Sequence, residues 1–213
     1  MATLAQLKSR VMDIIKDQYF RTAVVTKQLN AAVTDIAAGL PSRIGTFLTP
    51  PLPELFTIST VATVTDAAYV SMPTTFQRSL VFAANESNTE IAIANSWIDF
   101  VKADPLLTNS GSLYEVIELG KNLYYQRIPS TAEDITLHFY RFPVLMSADT
   151  DEPDGIPANF HERLLVNYAA YRTYETLEEG EKAAYYENLF MKALSDFELS
   201  LPYDTRPLNL IRE

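Results

Sequence analysis

The chain has 213 residues, enough to bury a sizeable core, and its 47% hydrophobic and 21% charged content is ordinary for a globular protein. It contains no cysteine, which excludes disulfides and thiolate metal sites and fits folding in a cytoplasm. Its net charge of −10 argues against non-specific nucleic-acid binding, which needs clustered Lys and Arg. The N-terminal stretch carries charges at every turn and is not expected to be a signal peptide, and no run approaches the roughly 18 to 20 apolar residues of a membrane span.

The first predicted element is an amphipathic helix over residues 3–20. Thr3 and Gln6 form a capping box, the hydroxyl taking an orphan N–H and the amide reaching back. Leu4, Leu7, Val11, Ile14 and Ile15 make its buried face, and Lys8, Arg10, Asp13 and Asp17 face water. After a short apolar link, Thr22 to Val25, Thr26 is expected to cap a second helix. Leu29, Ala32, Val33, Ile36, Ala37 and Leu40 repeat the same spacing there, and Gly39 with Pro41 ends it.

The period then changes. FTISTVATVT (56–65) alternates and is rich in Thr and Val, so it reads as a strand, while Pro50, Pro51 and Pro53 exclude helix and central-strand pairing just before it. Residues 79–85 and 89–96 flank Glu86-Ser87-Asn88 as a hairpin. Residues 97–105 form a short helix or turn closed by Asp104-Pro105, and further strands follow at 113–119, 122–129 and 134–143. In the last of these Ile135, Leu137 and Phe139 form the buried face, against Thr136, His138 and Tyr140 on the wetter one. The acidic segment 146–155 reads as the linker back to helices.

Two helices fit residues 154–199. Gly155 and Pro157 mark the start of the first, whose Phe160, Leu164, Tyr168 and Tyr171 share one face, widened by Leu165 and Ala169. In the second, Tyr186, Leu189, Phe190, Ala193, Leu194 and Phe197 follow helical spacing. Only Leu177 to Gly180 separates the two, so they form an antiparallel hairpin with a shared apolar seam. The tail, LPYDTRPLNLIRE (201–213), has no period, and Leu208, Leu210 and Ile211 favour an arm that orders on a partner. The expected fold class is α+β: an α-helical bundle of two N-terminal and two C-terminal helices (1–45 and 154–200), an inserted antiparallel β-domain (46–147) and an extended C-terminal arm (201–213).

The chemistry offers little. His138 and His161 stand alone, without the i, i+4 partner and third ligand that a helical metal site needs, and both read as structural. Asp151/Glu152 and Glu178/Glu179 lie in a linker and a helix turn rather than on pocket walls, and read as solvated charge. There is no G-x-G-x-x-G, no Walker lysine loop and no G-x-S-x-G elbow. The tyrosines lack the interleaved Lys and Arg of a nucleic-acid platform, which leaves core packing and a subunit interface. No catalytic, cofactor-binding or metal-binding set is expected. One further reading stays open: a non-catalytic carbohydrate- or protein-binding module using the β-domain, with a groove lined by Trp97, Tyr124 and Tyr125. Against it, Trp97 shares an amphipathic segment with Ile98 and Val101, as a core residue would.

The order of motifs is informative where each alone is not. WIDFVKADP is followed by a Gly-containing polar turn, Tyr114, Gly120 and LYYQRIP. A strand ending FYRFP (139–143) comes next, then the acidic linker and IPANFHERLLVNYAAYRTYE. With TLAQLKSRVMDII and TKQLNAAVTDIA at the front, this order resembles the head–tail adaptor (connector) proteins of tailed bacteriophages. The resemblance spans nearly the whole chain and is weakest over residues 41–90. It implies a structural protein of the virion neck, assembled in the host cytoplasm, which forms a ring of twelve copies beneath the portal protein. The ring prolongs the channel through which double-stranded DNA passes and docks a stopper, tail-tube or tail-completion protein. By position, Tyr203, Arg206, Leu208, Leu210, Ile211 and Arg212 would belong to the portal-binding arm, and Tyr168, Tyr171, Tyr186 and Phe190 to ring-forming helices.

Overall fold

The computed structural model describes residues 2–16, 20–40 and 50–201. The chain divides into two compact units, Met1–Leu55 with Phe142–Glu213, and Phe56–Arg141. The whole is an α+β fold, with the long helices in the first unit and all the described strands, together with one short helix, in the second.

In the helical unit, α1 (Leu4–Ile15) starts as its capping box requires. Gln6 N donates to Thr3 Oγ1 (3.5 Å), and Thr3 N donates to Gln6 Oε1 (3.0 Å). Leu4, Leu7, Val11 and Ile15 are buried, and Lys16 closes the helix in the left-handed region at φ 55°. Helix α2 (Thr22–Ala38) begins four residues before the expected cap. Thr26 lies inside it and donates its hydroxyl to Thr22 O (3.2 Å), which lets the helix extend backward and bury Val25. Gly39, at φ 99°, ends it by donating to the carbonyls of Asp35 and Ile36.

The C-terminal hairpin enters differently from the plain helix expected. A 3₁₀ turn (Ala158–Phe160) is followed by a π-helical turn (His161–Val166), and only then by α4 (Asn167–Thr176). Asn167 Nδ2 donates to Arg163 O (2.7 Å), taking up a carbonyl in the wide turn. Helix α5 (Gly180–Ser200) returns antiparallel to α4, which also packs against α1 and α2. The core joins Leu7, Val11, Leu29, Ile36, Leu164 and Phe197, with the Phe160 and Phe197 rings edge to face at 5.0 Å. Each such fully buried side chain is worth roughly 1.5–3 kcal/mol.

The acidic segment is strapped to these helices rather than free. Leu4 N donates to Asp151 O (2.8 Å) and Ala5 N to Asp149 O (3.1 Å), so loop carbonyls satisfy N–H groups that the first turn of α1 leaves orphaned. Asn30 and Met146 exchange two bonds of 2.9 Å, and Leu52, Leu55 and Met146 join the helical core.

The second unit holds two sheets around one core. Strands β1 (Phe56–Ala62), β3 (Phe76–Ala84) and β7 (Asp134–Arg141) form an antiparallel sheet in the order β1-β7-β3. Strands β2 (Tyr69–Ser71), β4 (Ala92–Ile93), β5 (Glu115–Leu119) and β6 (Asn122–Tyr125) form the other, in the order β2-β6-β5-β4. Ile135, Leu137 and Phe139 of β7 face Val116, Leu123 and Tyr125 across the interior. The short β2 carries too little pattern to be foreseen. The turn at residues 86–88 forms as expected, with Asn85 Oδ1 accepting from Ser87 N (3.0 Å) and Thr89 N (2.9 Å). Its returning arm differs: after Ile91, which is fully buried between the sheets, the chain crosses over and β4 pairs parallel with β5. The β-unit is therefore mixed rather than wholly antiparallel. A short helix, α3 (Trp97–Lys102), follows, capped by Ser96 Oγ.

Candidate functional site

The titratable candidates occupy structural positions. His161 is 2% exposed, and its Nε2 lies 2.7 Å from Ile156 O at the start of the π-helical turn. His138 sits on the outer face of β7 with its ring 5.7 Å from Phe56 and 5.0 Å from Phe82. Asp151 accepts from the backbone N–H of Ser147 (2.7 Å) and Ala148 (2.8 Å), and these bonds hold its carboxyl below the usual carboxylate range. Glu179 pairs with Lys182 across the turn into α5. Among the described residues, no group of three or more His, Asp or Glu could hold a metal ion, and no helix is long and apolar enough to cross a membrane.

The four helix residues singled out for a ring interface divide in two. Tyr168 and Phe190 are 6% and 3% exposed and pack edge to face at 5.2 Å inside their own subunit. The Tyr168 hydroxyl donates to the Asp35 carboxylate; burial first, and this bond second, push its pKa well above the tyrosine range. Tyr171 and Tyr186 are half-buried at the surface of the hairpin. Tyr186 stacks on Tyr174 at 5.6 Å and meets exposed Tyr185 edge on at 5.1 Å, while Lys182 lies 5.1 Å over the Tyr174 ring. With Ile14 and Ile15 these residues line an open groove at the end of α1. The arm residues Tyr203, Arg206, Leu208, Leu210, Ile211 and Arg212 lie outside the described residues.

The proposed aromatic groove of the β-unit is rearranged. Tyr125 is fully buried, its hydroxyl held by Val64 and Tyr69 backbone groups at 3.3–3.4 Å, so it lines no surface. Tyr69, Tyr124 and Trp97 do cluster, but with ring planes at 40° and 73° to one another they offer no common platform for stacking a sugar.

The largest feature that periodicity did not foresee is the outer face of the three-stranded sheet. Pairing sets Phe56 opposite Tyr140, and Ile58 and Phe82 on either side of His138. Phe56 and Ile58 are 41% and 57% exposed. Arg78 stands opposite Tyr140, its pKa drawn down to about 10 by burial, which leaves it charged at neutral pH. The signal was in β1 itself, whose larger apolar residues, Phe56 and Ile58, share one parity while Thr57 and Ser59 share the other. Pairing with β7 then forces the apolar set outward. The described residues thus carry exposed aromatic and apolar faces, the kind of surface through which proteins contact one another.

Comparison with known families points the same way. The family model for SU10 adaptor protein matches residues 2–209. No curated protein matches the chain. A match over nearly the full length settles the family: the chain belongs to the SU10 adaptor proteins, a family of phage head–tail adaptors.

Proposed function

We propose that this structural adaptor closes with copies of itself into a ring, dodecameric as the resemblance implies, beneath the portal at the neck of the virion. The ring extends the DNA channel on the portal side and docks a stopper or tail component on the other. The observation that carries this reading is the family match across residues 2–209. No step of the role is catalytic.

The chemistry of the chain supports it in three ways. Two heterologous faces on each subunit close into a ring when the rotation between neighbours closes. The α4–α5 hairpin contributes one such face through half-buried Tyr171 and Tyr186, and Tyr168 and Phe190 hold that face in shape from inside. The net charge of −10 suits a channel wall that does not grip phosphates, so the genome slides through. The arm, with Tyr203, Arg206, Leu208, Leu210, Ile211 and Arg212, reaches the portal, and any order it gains there lowers affinity relative to the area buried.

Light scattering after size exclusion tests the reading, on the protein alone and mixed with the portal. A ring's worth of added mass is the expected result, and loss of that gain on deleting residues 203–213 assigns the arm. A chain that adds no mass to the portal refutes the role.

A further inference from the structure

We infer that the free edge of β1 is a strand-addition site, and that its occupant is β1 of a second copy of this chain, paired antiparallel about a two-fold axis. Strand β1 lies at the margin of its sheet, with β7 on one side and no strand on the other among the described residues. Alternate backbone N–H and C=O groups along that margin therefore point outward as a template for another strand. Among the described residues, no backbone hydrogen bond other than the β7 pairing reaches residues 56–62. Exposure agrees: no residue of β1 is buried, and its inward-facing Thr57, Ser59 and Val61 are only half-covered, whereas Ile135, Leu137 and Phe139 on β7 are sealed.

The strand carries none of the features that usually guard such an edge. FTISTVA has no charge and no proline, and its register with β7 runs unbroken from Phe56–Tyr140 to Ala62–Asp134. The opposite margin, β3, is guarded. Its register shifts twice between Phe76 and Phe82, Ser79 lies at φ 59°, and its end is taken by the Ala84–Glu90 bridge and the bond from Ile91 N to Ala83 O.

This asymmetry selects the occupant. Joining β1 of one copy to β3 of the next would need both margins open. Of the two margins of this sheet, β1 alone is open among the described residues, so two such sheets pair β1 to β1, and the pairing stops at two. The sequence is compatible with itself in that arrangement. In a register centred on Ser59, Phe56 meets Ala62, Thr57 meets Val61 and Ile58 meets Thr60, with no like charges opposed. Phe56 and Ile58 of both copies then lie on one continuous face of a sheet ordered β3-β7-β1-β1-β7-β3. A ring uses heterologous faces, so the pair belongs to the free protein. It shields the edge from unrelated strands until subunits join the neck, and it must open for them to do so.

Sedimentation velocity on the full chain, over on the order of 1 to 100 μM, tests this in the range where a small interface dissociates. A monomer–dimer shift is expected, and Thr60→Lys, a charge on an exposed edge position, should weaken pairing at least tenfold while leaving the unfolding temperature unchanged when both proteins are dilute enough to be monomers. Because the chain has no cysteine, single cysteines report the geometry directly. Opposed Cα atoms about 4.5–5.5 Å apart lie within disulfide range. Oxidation should therefore cross-link one of Ile58→Cys, Ser59→Cys or Thr60→Cys, and not Ala62→Cys at the strand end. The cysteine series decides the matter even if the lysine variant does not fold. A monomer throughout, a dimer indifferent to Thr60→Lys, or cross-linking at Ala62→Cys as readily as at the centre overturns the inference.

Discussion

Gly155→Ala isolates a position where backbone and packing act together. Gly155 sits at φ 79°, in the left-handed region, and a Cβ placed on it would meet Leu55 Cγ at 2.7 Å and Cδ2 at 2.8 Å. Leu55 is 1% exposed and belongs to the helical core, so any shift it makes to admit a methyl disturbs packed neighbours. The left-handed conformation costs a residue with a Cβ about 1–2 kcal/mol, and forcing a methyl into a packed site costs about 1–3 kcal/mol. Together they predict a loss of about 2–5 kcal/mol. At about 2–4 °C per kcal/mol for a chain of this size, the unfolding temperature should fall by roughly 4–20 °C. Urea unfolding followed by far-UV circular dichroism measures the loss. Leu55→Ala alone should cost about 2–5 kcal/mol for its cavity, but in the double variant it removes the clash. The pair should therefore cost less than the sum by well over about 0.5 kcal/mol. A Gly155→Ala protein within about 0.5 kcal/mol of the parent, or a strictly additive pair, would refute the reasoning.

Other expected outcomes follow from buried polar groups. Tyr168→Phe removes the donor to Asp35 and should cost about 1–3 kcal/mol in the same assay. Because the folded pKa of Tyr168 is raised, its contribution is complete below about pH 10, the unfolded tyrosine value, and is lost as pH rises through the folded value. Burial also raises Tyr125, Tyr140, Tyr171 and Tyr186, so an ultraviolet titration should show a late-titrating group that shrinks by one tyrosine in the variant. Thr173→Val should raise stability by about 1 kcal/mol, because the Thr173 hydroxyl is buried with no hydrogen-bond partner among the described residues; a clear loss would mean that the hydroxyl is satisfied. Asp104 accepts from Thr108 N (2.7 Å) and Asn109 N (2.8 Å), which depresses its pKa. Its contribution is present above about pH 3.9 and lost as pH falls through the folded value, so Asp104→Asn should flatten the acid limb of the stability profile. An unchanged limb would exclude that role.

The helices were legible because their information is local. Thr3 with Gln6, Gly39, and the spacing of Leu4, Leu7, Val11 and Ile15 act within one or two turns, and each appears as read. The inward face of β7 was legible for the same reason, since Ile135, Leu137 and Phe139 alternate without interruption. The start of α2 was not, because Thr26 can cap a helix or bond back inside one, and burying Val25 decides between them. Nor was the π-helical turn at His161, whose sequence suits an α-helix and whose geometry depends on seating a buried ring against Ile156 O.

By itself, then, the sequence determined the α+β order of elements, the helical seams and, through the order of its motifs, the adaptor resemblance. What faces outward belongs to tertiary structure alone. Tyr168 and Tyr171 share a predicted face, yet one donates to Asp35 in the core and the other reaches the surface. Phe56 and Ile58 alternate like core residues and are exposed, because a strand's parity fixes two faces without saying which is covered. Pairing with β7 makes that choice, and for Phe56 and Ile58 it comes from Tyr140 and His138, far along the chain.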